Sequence, residues 1–90
     1  MITTPTIHSN GTSHKDLTEG YKRAEDALFA LTEAFSSIEF NARDYYVQGP
    51  DVYTQARDQQ REIFLKICDI KDYLEAILIS LHDQTPKSRQ

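Results

Sequence analysis

The sequence predicts an all-α protein: an antiparallel hairpin of two long helices with an N-terminal leader, completed by oligomerisation. Two uninterrupted apolar stripes at 3–4 spacing predict the helices, and the short connection between them predicts the antiparallel arrangement. Oligomerisation follows from apolar residues that lie off both stripes. The expected layout is a polar leader over residues 1–12, a helical oligomerisation and ligand-binding domain over 13–84, and a disordered tail over 85–90.

The leader is polar, with Pro5 and the turn-forming pair Asn10-Gly11. The first helix starts at Thr12 or Ser13. Ser13 followed by Asp16 resembles a capping box, although Glu or Gln is usual in the second place. Leu17, Tyr21, Ala24, Leu28, Leu31, Phe35 and Ile38 then form one stripe, and the helix is expected to end near Ser36-Ser37. Gly20 weakens its early turns by about 1 kcal/mol relative to Ala.

The second helix is expected to begin at Gly49-Pro50-Asp51. Proline suits a first helical position, and an aspartate complements the positive end of the helix dipole. Its stripe is Tyr53, Ala56, Gln60, Ile63, Ile67, Ile70, Leu74, Ile77 and Leu81, ending at Thr85-Pro86 after roughly 32 residues, or roughly 48 Å. Phe64, Cys68, Leu78 and Ile79 fall off this stripe, as do Phe29 and Phe40 from the first. The second helix is also the longer, so its last turns are expected to lack an intrachain partner. Hairpins that complete one another's cores would meet both needs.

Composition narrows the function. Fourteen acidic and 10 basic side chains give a formal charge of −4, which argues against a general DNA or RNA binder. No apolar run reaches the roughly 18 residues of a membrane span, and the first residues have no apolar core of a secretory signal. Cytoplasm is therefore the expected location. Cys68 is the single cysteine and is expected to be a buried structural thiol. His8, His14 and His82 lie at opposite ends of the chain without the i, i+4 pairing of a zinc site, and NGTSHK lacks the spacing of a phosphate-binding loop. No catalysis and no cofactor are expected.

Three places could carry recognition. Residues 8–13 precede a helix, where free N–H groups and small polar side chains can hold an anion or simply cap the helix. At residues 21–23, Tyr21 lies on the stripe, flanked by Lys22 and Arg23. The connection holds Arg43, Tyr45 and Tyr46, with Arg57 and Arg61 following on the second helix. Tyrosine offers a face for a base and arginine a fork for phosphate, or the two tyrosines plug the end of the helix pair. Tyr46 should be buried, because a connection with two exposed rings would cost solubility, and Tyr45, on the opposite side of an extended backbone, should face a neighbouring chain or a ligand.

"NGTS" at residues 10–13 and "ARDYYVQGPD" at 42–51, on an all-helical chain of this length, resemble the small phage-encoded anti-CBASS proteins that act as cyclic-oligonucleotide sponges. The similarity runs over residues 8–83, and these two motifs are its specific part. The resemblance implies a non-enzymatic helical hexamer in the cytoplasm of the host bacterial cell. It would bind cyclic dinucleotides and cyclic trinucleotides in two sets of pockets between protomers and withhold them from immune effectors. The matching positions are Asn10, Thr12 and Ser13 in the leader, Lys22 or Arg23 on the first helix, and Arg61 on the second. One position departs: an aromatic residue is expected near the leader, but Ser9 precedes Asn10, and Tyr21 could serve in its place. The rival reading is a helical adaptor whose apolar seams bind only protein, with RDYY as a turn plug and NGTS as a cap.

Overall fold

Ser13 sets the start of the first helix. Its hydroxyl accepts the Asp16 N–H at 3.0 Å, so the N-cap is in place while the reciprocal half of a capping box is not. Helix α1 runs His14–Ser36 and helix α2 runs Val52–Asp83. Two 3-10 turns, Ala42–Asp44 and Tyr46–Gln48, join them. This computed structural model describes residues 1–84; the expected tail, and the stop at Thr85-Pro86, lie outside the described residues. The helices pack antiparallel and the molecule is a rod of 65 × 24 × 21 Å.

The entry to α2 differs from expectation. Pro50 lies in a turn ahead of the helix rather than at its first position, and the Asp51 side chain makes no capping bond. The sharp change of direction falls at Gly49, whose φ of 147° is open to glycine and strained for any L side chain.

The core is a single seam. Leu28 from α1 meets Ile67 and Leu74 from α2, flanked by Tyr21 and Phe35. Phe64 joins this seam, edge-on to Phe35 with ring centroids 5.1 Å apart, so it needs no second surface. The stripes themselves divide. Ala24 and Leu31 on α1, and Ile38 just beyond its end, stay exposed although they share the expected stripe with buried Leu28. On α2, Ile63 and Ile70 stay exposed, Ile70 at 47%, so it is not a seam residue of the single hairpin. The cause is geometric. One partner helix covers only a narrow seam, while a 3–4 stripe is wider than that.

As expected α2 is the longer helix, 32 residues against 23, but the overhang falls at the other end. His14 Nε2 donates to the Leu81 carbonyl at 2.7 Å, which sets the first turn of α1 against the last turn of α2. The final turns of α2 are therefore the best covered, with Ile77 1% and Leu81 0% exposed. The overhang lies at the start of α2, where Phe40 and Tyr45 pack on Tyr53 with centroids 5.5 and 6.4 Å away.

Cys68 is exposed, not buried. Its place on α2 is off the seam, beside Ile67, which takes the core position. Phe29 and Ile79 are exposed, as their off-stripe positions implied. No strand occurs among the described residues.

Candidate functional site

The leader folds back against the end of α2 and closes a turn at residues 8–11, with the Gly11 N–H bonded to the His8 carbonyl at 3.1 Å. Ser9, Asn10 and Thr12 are exposed on this turn and just after it. Ser13 spends its hydroxyl on the helix cap.

Beyond the leader, the flank of the hairpin bearing Lys22 holds a groove of about 700 Å³. His14, Thr18, Lys22 and Glu25 line it from α1, and Glu75, Leu78, Ile79 and His82 from α2. Lys22 stands 3.6 Å from Glu25, and Lys71 binds Glu75 at 3.0 Å. The Glu75 carboxylate, by hydrogen bond and charge, holds the Lys71 ammonium above its ordinary pKa. Each acid of the groove thus has a lysine beside it, and the groove of one chain is not a strongly cationic site. Arg23 lies about 100° further round α1, exposed and outside the groove. Lys22 is the helix cation that this groove contains.

Tyr21 occupies the opposite flank. It packs against the core and lines a shallow depression with Leu17, Ala24 and Leu74. Burial pushes its phenol pKa up, and the hydrogen-bonded Tyr73 hydroxyl adds to the rise. A ring held this way cannot stack on a base lying in the Lys22 groove of the same chain.

At the far end of the rod, the connection reverses the expected duties of its tyrosines. Tyr45 is half-buried against Phe40, centroids 5.4 Å apart, while Tyr46 is 63% exposed. The segment consists of 3-10 turns, which rotate successive side chains by about 120°, so strand-like alternation does not apply. Tyr45 is the plug; Arg43 and Tyr46 face outward.

Arg61 is exposed near the start of α2. The Phe35–Phe64 contact sets it about level with residue 38, roughly 24 Å along the rod from Lys22. Among the described residues, Arg23, Arg43 and Arg61 have no ion pair, whereas Arg57 reaches Asp58 at 3.5 Å. The candidate residues therefore form two groups. The leader and Lys22 lie at one end, and Arg43, Tyr45 and Arg61 at the other.

Sequence reasoning treated His14 and His82 as unrelated. Antiparallel register brings both to one groove, a pairing readable by laying the first turn of α1 against the last of α2. Among the described residues no three His, Cys, Asp or Glu side chains are grouped to hold a metal ion, and no helix is long and apolar enough to cross a membrane. Compared with protein-family models, curated proteins and solved structures, the chain matches none.

Proposed function

We propose that this chain is a homo-oligomeric binding protein that sequesters cyclic dinucleotides and cyclic trinucleotides without converting them, and so blocks CBASS anti-phage signalling in the host cytoplasm. One observation carries the reading: the two groups of candidate contacts lie at opposite ends of a rod, and only a second copy can bring them together.

The surface of the rod supports such pairing. Ala24 and Leu31 on α1, and Ile38 just past its end, recur every seventh residue, as Ile63 and Ile70 do on α2. Ile38 and Ile63 line one shallow depression, and Ala24 lines another with Tyr21 and Leu74. These residues thus form one long apolar face, with Leu31 and Ile70 exposed along it. A seven-residue repeat is what a second helix of like repeat covers, and this chain itself carries one. Antiparallel docking of two copies across that face sets the Arg61 end of one beside the Lys22 end of the other. Hexamer is the state implied by the resemblance to the sponge family.

The ligand chemistry fits the same arrangement. A cyclic dinucleotide carries two phosphates and two flat bases. It needs a few cations and donors that converge, not a basic field, so a net acidic oligomer can hold it. Arginines without a partner in the single chain are suited to that role, since their fork pairs with phosphate oxygens.

The test is ligand binding followed by ligand recovery. The protein is incubated with cyclic dinucleotides and trinucleotides, its melting temperature measured, and the released ligand examined after denaturation. A rise in melting temperature with intact ligand returned is expected. Converted ligand would mark an enzyme. No shift with any cyclic nucleotide would leave the apolar face to a protein partner, as in an adaptor.

A further inference from the structure

Three side-chain hydrogen bonds that join distant parts of the described chain converge on one helical turn. Gln84, which caps the C-terminus of α2, uses both ends of its carboxamide on the leader. Its Oε1 accepts the Ile7 N–H at 2.8 Å, and its Nε2 donates to the Pro5 carbonyl at 2.9 Å. The same Nε2 donates to the Ser80 hydroxyl at 3.2 Å, which fixes the rotamer. Residues 5 and 7 are spaced as alternate residues of an extended strand, so the carboxamide pairs with the leader as a neighbouring peptide group would.

The other end of the leader is held by the same turn. His14 donates to the Leu81 carbonyl, one of the last four carbonyls of α2, which also accepts the Gln84 backbone N–H at 3.1 Å. Between these two anchors lies the turn at residues 8–11, with Asn10 at its tip and Thr12 beyond it. The His8 ring lies against Gly11, within 2.8 Å of where a side chain there would begin, so the loop is folded tightly upon itself.

We infer that the last turn of α2 is a clamp for the leader: Gln84 and His14 hold residues 5–14 as a closed loop that presents Asn10 and Thr12, and both act as positioning residues for the ligand site. The part concerning ligand rests on the proposed function; the clamp itself does not. Gln84 suits the task because a carboxamide supplies a donor and an acceptor at once. A glutamate of equal length keeps the acceptor for Ile7 but sets a second oxygen against the Pro5 carbonyl. By linkage, a ligand that needs the presented loop also tightens the clamp.

The experiment measures amide hydrogen exchange and ligand affinity on the full chain, for wild type, Gln84→Ala and Gln84→Glu. The probes are a 3′,5′-linked cyclic diadenylate and a cyclic triadenylate. Both variants should exchange faster over the leader, by roughly tenfold for Gln84→Ala, which loses both bonds to the leader, and by a smaller factor for Gln84→Glu, which loses the bond to Pro5, with exchange in the middle of α1 and α2 unchanged. Affinity for a probe that binds wild type should fall by a similar factor. Leader exchange equal to wild type in both variants would overturn the clamp. Faster leader exchange with unchanged affinity would overturn the positioning role. A wild-type protein that binds neither probe would overturn the proposed function and the ligand half of this inference together, and the exchange data would still decide the clamp.

Discussion

Replacing Ile70 by aspartate separates a lone hairpin from an assembly. In the single chain Ile70 is 47% exposed. A carboxylate there keeps much of its water, and the loss is about half the burial energy of an isoleucine, roughly 1 kcal/mol. If a second copy covers the face, the same carboxylate is buried without a partner, at a cost of several kcal/mol per protomer. Leu81→Ala is the control: at 0% exposure within one chain, its loss should cost about 2–5 kcal/mol in either state. Sedimentation at low micromolar concentration and thermal melts followed by circular dichroism read both variants. The expected result is that Ile70→Asp dissociates or unfolds the assembly and lowers the melting temperature at least as far as Leu81→Ala. A wild type that sediments as a folded 10.4 kDa monomer, with Ile70→Asp melting close to it, would refute the reasoning.

Three further predictions follow from the geometry. Tyr45→Ala should cost about 2 kcal/mol or more in denaturant unfolding, because the ring packs on Phe40 and Tyr53; Tyr46→Ala should cost under about 0.5 kcal/mol, and the opposite order would mean the plug is misassigned. Asn10→Ala, Thr12→Ala and Arg61→Ala should weaken cyclic-nucleotide binding with helicity unchanged, whereas Ser13→Ala should lower stability by about 1 kcal/mol through loss of the cap. The raised Tyr21 phenol gives an alkaline signature. Folding disfavours its ionised form, so its stabilising contribution is complete below about pH 10, the unfolded value, and is lost as pH rises through the higher folded value. Tyr21→Phe should flatten that part of the decline in stability measured between about pH 9 and 11.

The helices were legible because their signals are local and repeated. Ser13 capped α1, Ser37 followed its last residue, and α2 spans 32 residues. The tertiary level was less so. Which half of each stripe is buried depends on the single neighbour available, and no pattern within one helix states that width. The connection misled because alternation was borrowed from strands, while Tyr45 and Tyr46 flank a junction of 3-10 turns. The role of Gln84 could not be seen locally: its partners lie 77 and 79 residues away. For the site, the polar leader and the exposed arginines were marked by residue type, and His82 was found only once register placed it beside the first turn of α1, in the groove that Lys22 also lines. Tyr21 lay on the apolar stripe, where a tyrosine usually joins the core, and it packs there; its use as a stacking ring came only from the resemblance.

Native mass spectrometry of the protein mixed with a cyclic dinucleotide and a cyclic trinucleotide tests the central claim most directly, because one spectrum reports copy number, bound ligand and ligand mass. The account predicts an oligomer, six copies by the resemblance to the sponge family, that carries ligand of unaltered mass and carries less of it when Arg61 is alanine. A monomer of 10.4 kDa without ligand, or an oligomer that binds neither nucleotide, would contradict it.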